Sequence, residues 1–279
     1  MKKYVLLPLL VGFTSVSSAF ASPVALDFVP AYNWYHGCGP TASASIMGYW
    51  DLHGYDNLYD ASGWEEVRYT ENVKEHISST EHNLKYDSQP DNPDLPVPPD
   101  TSLADFWHTS EGGLGYGWSY TSHMDDANSN YAAFQGYNFE SAFFSRTWEN
   151  LVSEIDNGNP LVAYVDSNGD GSSDHFIPIF GYDEREDGLY YASYNTWHES
   201  ETIDWYLFGP TSSVYSFGIT SLAYIHPLDE AIGGLPISYI DFTPEPIPEP
   251  EPTPAPEPGT IMLLGTGLMG LLGLRRKFK

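Results

Sequence analysis

One cysteine, Cys38, occurs in the 279 residues, within His36-Gly37-Cys38-Gly39-Pro40-Thr41. A chain with a single thiol has no internal disulfide to close its loops, so an apolar core must hold its fold together. Composition permits such a core, since 41% of the residues are hydrophobic and 15% aromatic. The thiol itself is then buried and inert, paired between chains, or reactive. Its neighbours favour the last. Gly39-Pro40 followed by Ala42, Ala44, Ile46, Met47 and Trp50 predicts a helix of small residues that starts directly after Cys38. At a helix N-terminus the dipole and the unpaired N–H groups are expected to lower the thiol pKa. Gly37 and Gly39 leave room for a substrate backbone, and the Cys38 N–H is free to meet an oxyanion.

A thiolate nucleophile needs a base, and the base needs a group to orient it. Of the nine histidines, His175 is the best placed, because it opens the strand-like run Phe176 to Tyr182 after a polar loop. A second run ends in Tyr194-Asn195-Thr196-Trp197, where Asn195 can accept from the imidazole and Trp197 can shield that bond from water. His36, His123 and His198 are weaker rivals.

Residues 1–21 have the layout of a secretory signal: Lys2 and Lys3, an apolar run from Tyr4 to Phe13, and Ala19-Phe20-Ala21 before the cut. That run is shorter than the roughly 20 residues of a spanning helix. Residues 22–242 are expected to form the working domain. Residues 243–258 alternate Pro with Glu, Thr and Ala, as an extended spacer does. Residues 256–279 carry Pro256-Glu257-Pro258, an apolar stretch from Ile261 to Leu274, and the cluster Arg275-Arg276-Lys277-Phe278-Lys279. This stretch can act as a short transmembrane helix whose basic end stays on the cytoplasmic side.

The chain has 11 Lys plus Arg against 38 Asp plus Glu. Outside the two terminal segments the cations are only Arg68, Lys74, Lys85, Arg146 and Arg185. So acidic a body argues against nucleic acid as a partner, which needs cations to neutralise phosphates.

In the working domain a second helix is expected from Ser145 to Asn157, capped by Ser145 and ended by Gly158. Strands are expected at 161–165, 176–182, 189–194, 203–208 and 216–225. Helices followed by consecutive strands make an α+β domain with an antiparallel sheet. Residues 55–135 yield only short helical patches, at 67–78 and 102–108. The loop Asp166 to Asp174 offers oxygens at positions 1, 3, 5 and 9 of a calcium loop through Asp166, Asn168, Asp170 and Asp174, with Gly171 at the sharp turn. Ile177 takes the place of its bidentate glutamate, so any structural calcium needs a further carboxylate. The alternative is a polar β-turn.

Taken together, Gly37 to Ala42 before an Ala/Ser-rich helix, Asp174-His175-Phe176 leading to Gly181-Tyr182-Asp183, and Asn195-Thr196-Trp197 resemble the papain superfamily. The nearest branch is the one related to the double-glycine leader peptidases. The resemblance implies a papain-like fold in which an N-terminal helix bears the cysteine and packs on a C-terminal antiparallel sheet. It implies Cys38 as nucleophile, His175 as base and Asn195 as orienter, acting on a peptide or protein substrate without a catalytic cofactor. The family usually places a Gln shortly before the cysteine as an oxyanion donor; here Asn33 is the only amide in that neighbourhood, beside the Cys38 N–H. The C-terminal trio resembles the PEP-CTERM sorting signal. It implies export, anchoring in the inner membrane, processing by an exosortase, and a final place at the cell surface or outside the cell. Two other readings share this sequence: a non-catalytic surface or matrix binding protein, and a cell-wall amidase or transpeptidase.

Overall fold

The computed structural model describes residues 22–86, 91–198, 201–212 and 214–243. The expected signal peptide and the C-terminal apolar segment lie outside the described residues. Contacts group the chain through Phe242 into one unit and Thr243–Lys279 into a second.

At the centre of the first unit is helix α1, Cys38–Leu52, in which every residue from Gly39 to Leu52 is buried. A helix covered on all sides cannot be amphipathic, which explains its Ala, Ser and Gly positions. Gly48 is one such close approach, because a Cβ there would come within 2.6 Å of the Tyr32 hydroxyl. α1 packs on the central strands of a seven-stranded sheet. The strands are β1 (Val24–Ala25), β2 (Phe139–Phe144), β3 (Leu161–Asp166), β4 (His175–Arg185), β5 (Gly188–Ser193), β6 (Asp204–Leu207) and β7 (Gly218–Pro227). Their order is β2-β7-β3-β4-β5-β6, with β1 added on β4 and every strand pair antiparallel. This is the mixed helix and antiparallel sheet expected from the sequence.

Strand β4 positions the site. Its N-terminal half pairs with β3 from His175 opposite Val165 onward, whereas β5 joins it only from Ile179. Pro178 has no N–H to donate, and a register shift follows between Ile179 and Gly181. The β5 side of His175 is therefore left open, and the chain leaving β5 at Ser193 turns across it.

The stretch 55–135, of which the sequence showed only patches, is organised by packing. It forms α2 (Trp64–Val67), α3 (Glu71–Ile77), α4 (Thr80–Tyr86), α5 (Leu103–Phe106) and α6 (Met124–Phe134). Much of its order rests on one buried knot. His82 Nδ1 lies 2.7 Å from Asp105 Oδ1, and His82 Nε2 lies 2.9 Å from the Thr109 carbonyl. Ser79, Ser102 and the Thr101 N–H all donate to the other Asp105 oxygen. Burial would raise the Asp105 carboxyl, but the His82 and Ser102 hydrogen bonds outweigh it and hold the pKa below the usual carboxylate value. Trp107 then packs against Gly39, where a Cβ would come within 2.9 Å of its ring.

The last helix, α7 (Trp148–Asp156), is capped by the Thr147 hydroxyl rather than by Ser145, whose carbonyl accepts from Asn150 instead. Strand β2 was not expected, since its hydrogen-bonding partner β7 lies over seventy residues away in the chain.

Candidate active site

Cys38 is the first residue of α1. The turn before it is fixed by Thr41, whose hydroxyl accepts from the Tyr35 N–H at 3.1 Å and donates to the Gly37 carbonyl at 2.7 Å. Gly37 has φ 141, a conformation that needs glycine, and a Cβ there would meet the Thr109 methyl at 2.9 Å. The helix start thus presents the thiol against two close backbone approaches, Gly37 on Thr109 and Gly39 on Trp107.

The thiol pKa is raised above its ordinary 9.0 rather than lowered. Burial is the main cause, and the N–H groups of Phe176, Gly39 and Cys38 itself work against it without overcoming it. The expectation of a depressed thiol pKa is corrected here: loss of water outweighs the helix terminus.

His175 is buried, and burial pulls its pKa below 6.5 against the opposing effects of the Asn195 carbonyl and Asp174. Nε2 lies 2.9 Å from the main-chain carbonyl of Asn195 and 3.2 Å from the Thr196 hydroxyl. A carbonyl only accepts, so the neutral ring carries its hydrogen on Nε2 and its lone pair on Nδ1. Trp197 stacks on the imidazole with ring centroids 5.0 Å apart. The Asn195 side chain is engaged elsewhere: Oδ1 accepts from the Trp197 N–H at 2.9 Å, and Nδ2 lies 3.4 Å from His198 Nε2. Asn195 therefore meets the imidazole through its backbone and serves the shielding tryptophan through its amide.

Cys38 and His175 line the same cleft, of about 210 Å³. One wall is Tyr164, Asp174 and Phe176; the other is Tyr116 to Ser119 with Thr121. Trp34 also lines it, with its ring over Gly117, whereas Asn33 is not among the lining residues. The Tyr116 to Thr121 wall comes from the stretch that the sequence left unordered. Its cue was the cluster Gly112, Gly113, Gly115 and Gly117 among aromatics, a loop signal without a partner to place it. Of the rival histidines, His36 Nδ1 bonds the Tyr116 hydroxyl at 2.9 Å, and His123 Nδ1 faces the Trp107 carbonyl at 3.2 Å.

The loop before His175 is closed by its own backbone. Asp166 accepts from the N–H groups of Gly169, Asp170 and Gly171, and Asp174 accepts from the N–H and hydroxyl of Ser167. Among the described residues no group of three or more His, Cys, Asp or Glu side chains is arranged to hold a metal ion. Nor is any helix among them long and apolar enough to cross a membrane.

A partly buried cysteine at a helix start and a buried histidine opening a sheet strand thus line one cleft. The chain belongs to the Peptidase_C39 like family, whose model matches residues 26–215. It also carries a PEP-CTERM protein-sorting motif, matched over residues 254–277. No curated protein matches the chain.

Proposed function

We propose that the protein is an exported cysteine peptidase with a papain-like site, in which Cys38 is the nucleophile, His175 the base and Asn195 the orienter, acting through its main-chain carbonyl. The single observation that carries this reading is the shared cleft of Cys38 and His175, with Nε2 tied back so that the Nδ1 lone pair is the one left for the thiol. Because burial raises the thiol and lowers the imidazole, the resting pair is neutral. The thiol proton passes to Nδ1 as the sulfur bonds to the substrate carbonyl carbon. The Cys38 N–H meets the resulting oxyanion. Collapse breaks the C–N bond, and the departing amine takes the proton from Nδ1. Water then attacks the thioester and gives its proton to His175; the acid product leaves and the thiol is restored.

The sorting motif supports export, a membrane-held intermediate processed by an exosortase, and a final place at the cell surface. The test is turnover of a fluorogenic peptide library by the purified protein and by Cys38→Ser. Cleavage that survives Cys38→Ser would sink this reading. A non-catalytic surface binding protein is the second reading, favoured by the raised thiol pKa. A covalent adduct at Cys38 with a peptide aldehyde or vinyl sulfone counts against it. An amidase or transpeptidase would use the same steps with a different amide or acceptor.

A further inference from the structure

We propose that Thr196 positions the base: its hydroxyl, and the turn it makes, hold the His175 ring in register with Cys38. This rests on the reading of Cys38 and His175 as nucleophile and base.

Thr196 is fully buried and adopts φ 62. A β-branched residue in the left-handed region is a conformational outlier, kept only where its surroundings over-determine it. Here three groups do so. The Thr196 hydroxyl lies 3.2 Å from His175 Nε2, the preceding carbonyl lies 2.9 Å from the same nitrogen, and the Thr196 carbonyl accepts from the Trp34 N–H. In an extended chain successive groups point to opposite sides. The left-handed turn instead brings the Asn195 carbonyl and the Thr196 hydroxyl to one ring nitrogen.

Two oxygens on Nε2 act together. The carbonyl obliges Nε2 to carry the hydrogen, and the hydroxyl is a second acceptor for it. Rotation of the ring by half a turn would lose both bonds. The lone pair therefore stays on Nδ1, and the tautomer that a base requires is held without an amide or carboxylate side chain on the ring. Through its own carbonyl the same residue also holds Trp34, which lines the cleft beside Cys38. One buried threonine thus links the base to the segment that leads into the nucleophile.

The experiment compares the full chain with Thr196→Val, Thr196→Ser and Thr196→Gly. ¹⁵N NMR of His175 reads the tautomer, and iodoacetamide alkylation of Cys38 reads the pair across pH without any need for turnover. The wild-type ring is expected in the Nε2–H form. Thr196→Val keeps the shape and loses the hydroxyl; it is expected to give mixed tautomers and about tenfold slower alkylation at pH 7, the size of one lost hydrogen bond. Thr196→Ser is expected to stay within about threefold of wild type on the same basis. Thr196→Gly relieves the backbone yet is expected to behave like Thr196→Val, which separates the hydroxyl from the strain. A wild-type ring in the Nδ1–H form, or Thr196→Val matching wild type in both readouts, overturns the proposal. If Thr196→Val does not fold, the contrast between Ser and Gly decides in the same way. A wild type that shows the expected tautomer and alkylation response but cleaves no peptide supports the role of Thr196 and removes the peptidase reading alone.

Discussion

His82 and His175 are both buried, and each is held by groups from distant parts of the chain, but their second nitrogens differ. His82 has the partner usually looked for beside a catalytic imidazole, a carboxylate at 2.7 Å, and its other nitrogen faces the Thr109 carbonyl. Both of its nitrogens therefore face acceptors inside the knot, and the ring is not among those that line the cleft. His175 has no carboxylate hydrogen-bonded to its ring among the described residues. Its Nε2 is tied to a carbonyl and a hydroxyl, and Nδ1 keeps its lone pair in a ring that lines the cleft. The contrast teaches that a well-partnered histidine is a strut, and that a base must be left one nitrogen short.

Substitution of each histidine tests this division most severely. His175→Ala is expected to lower kcat/KM by about 10²–10⁴-fold, the usual share of a general base, with the circular dichroism spectrum unchanged. His82→Ala should do the reverse. It leaves Asp105 buried without its partner, so a loss of about 3 kcal/mol in urea denaturation is expected, with the Cys38 alkylation profile of the folded protein retained. If His82→Ala abolished alkylation at full stability, the roles would have to be exchanged.

The strut also has its own pH signature. Because the Asp105 pKa is held below its ordinary 3.8, its ionised form stabilises the fold fully above that value. The contribution is lost as pH falls through the folded pKa, and acid denaturation of wild type against Asp105→Asn measures it. The role proposed for His175 is read from activity instead. With the His175 pKa below 6.5, the neutral base persists until pH falls through that lowered value, so the acid limb of kcat/KM is expected below pH 6.5. An acid limb above 6.5 would mean that the imidazole is stabilised as a cation in the resting enzyme, contrary to its burial.

The smallest expected effect concerns Asn195. Asn195→Ala keeps the main-chain carbonyl on His175 and removes only the amide that holds the Trp197 N–H. A loss of about threefold in kcat is expected, since one partly exposed hydrogen bond is at stake. A loss as large as that of His175→Ala would show that the amide swings onto the ring during turnover.

Much of the site was legible because its signals are local. Gly39-Pro40 after Cys38 reads as a helix start, and His175 before an apolar run reads as a strand mouth. Asn195 was legible as a neighbour of His175, but which of its oxygens faces the ring was not. That choice depends on the φ of Thr196, and no propensity places a threonine in the left-handed region. Asn33 was singled out by residue type, whereas the turn before Cys38 puts Trp34 in the cleft. The helix N-terminus was legible too, but its electrostatic effect was misjudged. The burial that decides the thiol pKa exists only once the core has closed around the helix start.

By itself the sequence determined the class of the chain: an acidic body before a C-terminal sorting motif, one cysteine at a helix start, and helices followed by an antiparallel sheet. These follow from periodicity, turn residues and charge, which act over a few positions. Only the tertiary structure decided that Tyr116 to Ser119 build a wall of the cleft, that His82 is tied at both ring nitrogens and His175 at one, and that a carbonyl and a buried threonine hold the His175 ring. Each of these depends on groups brought together across tens of residues, where a hydrogen bond or a van der Waals contact exists only once the core has closed around it.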